Sequence, residues 1–124
     1  MKQEVTPIDG FHYSTSEQFT GEYWIDGKKI YQKVVILTSL PASGQSAATL
    51  HDISNLNEVI RSDLRSKIPP NIYISLAFTG GQNGTACIRY VISDTAVTVI
   101  SPTGGPDMNG WSGFAVIEYT KTTD

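Results

Sequence analysis

Two histidines, His12 and His51, one cysteine, Cys87, and a scatter of carboxylates are the residues of this chain that could do chemistry. A zinc site needs three or four converging nitrogen or sulfur ligands, and one Cys with two distant His is a thin supply. His51 stands beside Asp52, but neighbours in a strand point to opposite faces of a sheet and make poor co-ligands. His51 therefore reads as a hydrogen-bonding residue at a strand end. Cys87 lies in "TACIRYVI", among β-formers, and reads as a small buried hydrophobe. Alone it cannot close an internal disulfide, which fits assembly in a reducing cytosol. A glycosidase needs two carboxyl groups about 5–9 Å apart across its substrate. The spacing of Glu17, Glu22, Asp52, Glu58, Asp63, Asp107 and Glu118 selects no pair, and Asp26 and Asp94 read as turn residues. "TGGQNG" and "PTGGPDMNG" lack the glycine spacing of nucleotide-binding loops, and no serine sits in GxSxG. These readings point away from an enzyme, a metal site or a cofactor.

The aromatics remain. Trp24, Tyr31, Tyr73, Tyr90, Trp111 and Tyr119 could each stack on the C–H face of a sugar, though most read as core or subunit interface. Trp111 directly follows the Gly/Pro-rich loop 102–110. In that loop Asp107 and Asn109 could bond hydroxyls, beside Trp111 as a stacking plane. Asp107, Asn109 and Trp111 are the candidate saccharide-binding residues. Loops carry such sites because their solvated backbone tolerates sequence change.

The elements that must position these residues read as strands. The 124 residues make one domain, long enough to bury roughly two-thirds of the unfolded surface. The net charge of −3 argues against a nucleic-acid protein, which needs a clustered basic face. No run of about 18 apolar residues could span a membrane, and the start lacks the apolar core of a signal peptide. Residues 1–20 read as an extended arm or edge strand, and 21–124 as a β-sandwich domain. Thr, Ser, Val, Ile and Tyr runs with loops every ten to twelve residues predict an all-β, antiparallel, jelly-roll-like sandwich of about seven to eight strands.

"WIDGKKIYQK", residues 24–33, reads as a hairpin. A two-residue turn at Asp26-Gly27 would pair Ile25 with Lys28, Tyr23 with Ile30 and Glu22 with Tyr31. A bulged turn would shift that pairing by one residue. Tyr23, Ile25, Ile30, Val34 and Ile36 then form the expected core face. Glu22, Trp24, Lys29, Tyr31, Lys33, Val35 and Leu37 form the other. "SNLNEVIRSDLRSKIPP" (54–70) is ambiguous. Leu56, Ile60 and Leu64 are spaced like one helix face, yet a turn at 54–57 followed by a strand fits equally. "NIYISLAF", "CIRYVI", "VTVIS" and "WSGFAVIEYTK" alternate as strands.

Two motifs carry a resemblance that spans nearly the whole chain. "YSTSEQFTGEYWIDGKKIYQKVV" (13–35) and the closing "VIEYTKTTD" (116–124) resemble the C-terminal β-domain of phage and prophage tail-fibre or receptor-binding proteins, especially those of Gram-positive bacteria. "LHDISNLNEVI" (50–60) is similar to a looser middle motif of that family, with Asp52 where Gly is usual. The resemblance favours strand over helix for 58–64. It implies a non-enzymatic virion protein, made in the bacterial cytoplasm and assembled with other tail proteins. It further implies a homo-oligomer, a trimer, attaching to a host-surface saccharide. The alternatives are a purely structural trimerisation domain and a depolymerising glycan hydrolase. The hairpin residues Trp24, Asp26, Gly27 and Tyr31 would then build the fold or the oligomer, leaving specificity to loops 39–46, 79–86 and 102–110. The abrupt start suggests a domain of a longer protein.

Overall fold

The computed structural model of the protein describes residues 12–38, 40–70, 72–75, 88–105 and 107–124. Cys87, the whole of loop 79–86, and Asn71 and residues 76–78 of "NIYISLAF" lie outside the described residues. Among the described residues eight strands run in chain order: β1 (Gln18–Tyr23), β2 (Lys29–Leu37), β3 (Ser46–Leu50), β4 (Leu56–Ile68), β5 (Ile72–Ser75), β6 (Arg89–Ile92), β7 (Ala96–Ile100) and β8 (Ser112–Lys121). They form two antiparallel sheets, ordered β1-β2-β8-β4-β5 and β3-β7-β6. The domain is all-β. The β2–β8 and β3–β7 pairings nest as in a jelly roll, while β4–β5 and β6–β7 are plain hairpins.

The core lies between the sheets. Val97 and Val99 of the smaller sheet join Val35, Leu37, Leu64, Ala115, Ile117 and Tyr119 of the larger one in a single buried cluster. Ile88, Tyr90 and Ile92 pack against it from β6 and its lead-in, as their alternation predicts. Ser62 Oγ and Tyr90 Oη share a hydrogen bond of 2.9 Å between the sheets. Strand β8 is central to the larger sheet, with Ala115, Ile117 and Tyr119 wholly buried on its inner face.

The hairpin differs from its two-residue reading. Tyr23 pairs with Lys29, so three residues, Ile25, Asp26 and Gly27, make the turn. Gly27 N–H donates to Trp24 C=O at 2.9 Å, and Trp24 N–H donates to Lys28 C=O at 2.8 Å. Asp26 Oδ1 accepts the Lys28 N–H at 2.9 Å. With Gly27 at φ +89°, this is the bulged alternative. Of the expected core face Ile30 is buried, at 5% exposure, but the rest of it is inverted. Val35 and Leu37 are buried against the second sheet, whereas Ile36, Tyr23 and Ile25 are 56%, 60% and 90% exposed. Both faces of β2 carry apolar residues, so alternation alone could not choose between them. A Cβ at Gly27 meets nothing within 4 Å, so substitution there strains only the backbone. Gly27→Val should cost about 1–2 kcal/mol, and an unchanged denaturation midpoint would contradict the turn geometry.

Residues 54–70 take the turn-and-strand alternative. A turn at Ser54-Asn55 leads into β4, 13 residues long. Its register against β8 shifts between Leu56 and Glu58 and again between Val59 and Arg61. Each bulge adds one residue, so Leu56, Val59, Ser62 and Leu64 face inward at steps of three, three and two. Leu56 and Leu64 of the helix-like spacing do face inward, but Ile60 is the extra residue of the second bulge.

Candidate binding face

The two terminal motifs meet at one end of the larger sheet. Tyr31 lies opposite Tyr119 in the β2–β8 register, and their rings stack at 6.1 Å and 27°. Tyr119 Oη donates to Glu17 Oε1 at 2.7 Å. Lys121 Nζ reaches Glu17 Oε2 at 3.0 Å and lies 5.5 Å from the Tyr31 ring centre. Tyr31 Oη donates to Asp124 Oδ1 at 3.2 Å, and Lys28 Nζ to the Asp124 carbonyl at 2.7 Å. Glu17, Lys28 and Tyr31 of the first motif thus close on Tyr119, Lys121 and Asp124 of the second. This cluster ties the edge strand β1 and its lead-in to the central strand β8. Trp24 is half-buried at the turn.

Burial, and then the Glu17 carboxylate, push the Tyr119 phenol well above its ordinary value. The neutral phenol is therefore favoured by folding. Its contribution is complete below the unfolded value near pH 10 and declines above it, as the unfolded chain loses its proton first. Urea midpoints measured from pH 8 to 11 should fall beyond about pH 10. Tyr119→Phe should flatten that fall, and an equal slope in the variant would exclude the phenol as its source.

His51 follows β3 directly and is buried, at 1% exposure. Its Nδ1 accepts the Ile53 N–H at 3.0 Å, so the ring proton sits on Nε2, which donates to Ser93 C=O at 2.8 Å. Lys33 Nζ of β2 donates to the His51 carbonyl at 2.6 Å. This corner holds β2, β3 and the β6–β7 turn together. Next to it, Asp52 has φ +56°, a left-handed backbone that glycine adopts without strain. Asp52→Gly should raise stability by about 0.5–1 kcal/mol. A lower melting temperature would contradict that expectation.

The sequence candidates on loop 102–110 sit apart from this corner. Asp107 and Asn109 are exposed, and Asp107 Oδ1 accepts the Asn109 N–H at 3.0 Å. Between them Met108 is wholly buried, with its N–H on Pro41 C=O at 3.0 Å. Met108 anchors the loop from below and leaves its two polar neighbours facing solvent. Trp111 is half-buried against the core, so part of its ring surface is committed to packing.

A surface that composition did not single out is the outer face of the larger sheet. Register places Gln32, Glu118 and Arg61 in one row across β2, β8 and β4. Val34, Val116 and Asp63 make the next row, and Ile36, Phe114 and Arg65 the third. Each of the last two rows sets two apolar residues beside a charged one. Ile36 and Phe114 are 56% and 39% exposed. They line a groove of about 450 Å³ with Tyr13, Val34, Asp63, Arg65 and Val116. Beyond Phe114 the groove continues to Lys67, Ser112 and Gly113. The charges on this face are paired. Arg61 Nη2 lies 3.0 Å from Glu118 Oε1, and Arg65 Nε lies 3.3 Å from Asp63 Oδ2. The second pair is half-exposed and contributes little to stability.

Among the described residues no three His, Cys, Asp or Glu side chains gather where they could hold a metal ion. Among the described residues no helix is long and apolar enough to cross a membrane. Comparison of the chain with protein-family models, curated proteins and solved structures returns no match.

Proposed function

We propose that the chain is a non-enzymatic attachment domain of a phage or prophage tail fibre, working in the virion as a homo-oligomer, a trimer, that meets a host-surface saccharide. The observation that carries this reading is the apolar strip of Val34, Ile36, Phe114 and Val116. It lies on the outer face of the central strands β2 and β8. A sheet whose middle strands are apolar on both faces needs cover on both, and only the inner face meets the second sheet. The paired charges beside the strip suit contact with another folded surface rather than with a polyanion. The terminal motifs support the tail-fibre assignment through the family they resemble. The exposed Asp107 and Asn109 offer hydroxyl partners at the loop.

The same strip would serve a domain that only trimerises a fibre, so the experiment must separate the two. The purified chain is tested for adsorption to Gram-positive cells and on an array of their surface glycans. Cell-wall incubations are assayed in parallel for released reducing ends. Attachment predicts glycan-dependent adsorption with no release. A folded oligomer that adsorbs to nothing would favour the structural role, and released reducing ends would overturn the non-enzymatic assignment.

A further inference from the structure

Gln32 occupies the polar end of the outer face with its amide oxygen unpartnered among the described residues. It is 4% exposed. Its Nε2 donates to Glu118 Oε2 at 3.1 Å, while its buried Oε1 has no partner among the described residues. Turning the amide over would set its carbonyl against a carboxylate, so Glu118 fixes this orientation. Buried acceptors without a donor are rare in folded proteins and ask for a reason.

Gln32 lines a hollow of about 220 Å³ with Tyr13, Arg61, Asp63, Val116 and Glu118. The volume is below the roughly 300–1,000 Å³ of pockets for drug-sized ligands, which limits an occupant to about one ring. Arg61 and Asp63 each have an ion-pair partner, so the hollow has no unbalanced charge to offer an ionic ligand. It does offer hydrogen-bonding groups of both kinds beside apolar surface. The half-exposed Asp63 carboxylate accepts, and Gln32 Oε1 lies behind the wall of the hollow, closed to solvent. The Arg61 guanidinium, 68% exposed, presents N–H groups beyond the two it directs at Glu118. Val116 and the 70% exposed Tyr13 supply the apolar surface.

We infer that this hollow binds one neutral sugar ring, with a ring hydroxyl donating to Gln32 Oε1. Neighbouring hydroxyls reach Arg61 and Asp63, and Tyr13 lies against the C–H face. The inference rests on the attachment reading for the choice of a saccharide, it places the sugar on the sheet rather than on loop 102–110, and it requires that assembly cover the Ile36–Phe114 end of the outer face and leave this polar end open. Oε1 is closed to solvent, so entry requires a neighbour to give way. Tyr13 is the lining residue that belongs to no strand, and it is the group that moves.

The test is a ¹H–¹⁵N titration of the full chain, separately with the methyl glycosides of glucose, galactose, rhamnose and N-acetylglucosamine. At least one should shift the Gln32 side-chain amide and the Tyr13 backbone amide. Gln32→Leu should weaken that binding at least about tenfold, and Asp63→Ala about threefold. Ile25→Ser, on the far turn, should leave it unchanged. Should Gln32→Leu fail to fold, the exposed Asp63→Ala decides. No shift at the Gln32 amide with any of the four sugars, or undiminished affinity in the folded variants, would overturn the inference. Shifts confined to residues 107–111 would overturn it while leaving the attachment reading intact. Absent sugar binding together with absent cell adsorption would remove both.

Discussion

Replacing His51 by alanine should destabilise the domain by about 2–4 kcal/mol. The imidazole is buried and used on both nitrogens. Its removal leaves the Ile53 N–H and the Ser93 carbonyl without their partner and opens a cavity at this corner. Each of these effects alone is worth about 1–3 kcal/mol in a buried setting. His51→Asn separates them. A short amide can still accept from a backbone N–H two residues on, so it should recover part of the Ile53 bond but not the reach to Ser93. Equilibrium urea unfolding should rank the three chains as wild type, Asn and Ala in falling stability. An alanine variant within about 0.5 kcal/mol of wild type, the scatter of ordinary surface changes, would show that this corner does not hold the sheets.

A charge placed on the outer strip should break the proposed assembly without unfolding the chain. Ile36 and Phe114 lie opposite one another across β2 and β8, and both are substantially exposed in the single chain. Glutamate at either position stays solvated while the chain is alone, so its cost to folding is small. Against a second protein surface the same carboxylate loses its water with no cation opposite. Ile36→Glu and Phe114→Glu should each weaken self-association by at least about a hundredfold. The melting curve of the dissociated chain should keep its cooperativity. Sedimentation at several concentrations reads the first, and circular dichroism the second. Variants that assemble like wild type would place the interface elsewhere.

How much of this was legible in the sequence depends on how local the signal is. The all-β class, the strands of 89–92, 96–100 and 112–121, and the hairpin at 24–33 follow from alternation and turn residues within a few positions. The length of β4 was hidden because its two bulges reset the period that alternation depends on. The core face of β2 was hidden for a different reason. Ile30, Val34 and Ile36 compete with Tyr31, Val35 and Leu37 on opposite sides, and only the position of the second sheet decides between them. The outer-face site was beyond reach for the same cause. Its rows join residues near 34, 64 and 116, which become neighbours only once β8 inserts between β2 and β4. Gln32 stands between Tyr31 and Lys33 and reads as surface until strand order buries it. The terminal motifs were visible as patterns, but their meeting through Glu17, Tyr31, Tyr119 and Asp124 was not. Of the loop candidates, Asp107 and Asn109 face solvent, whereas the ring of Trp111 is partly spent on the core.

The most direct measurement is the mass of the unmodified chain in solution, by light scattering from about 1 to 100 μM, a range that brackets weak and tight association. Assembly through the outer face predicts one species at a small multiple of the 13.5 kDa chain, three for a trimer, persisting on dilution. A single species at 13.5 kDa across the whole range would contradict it.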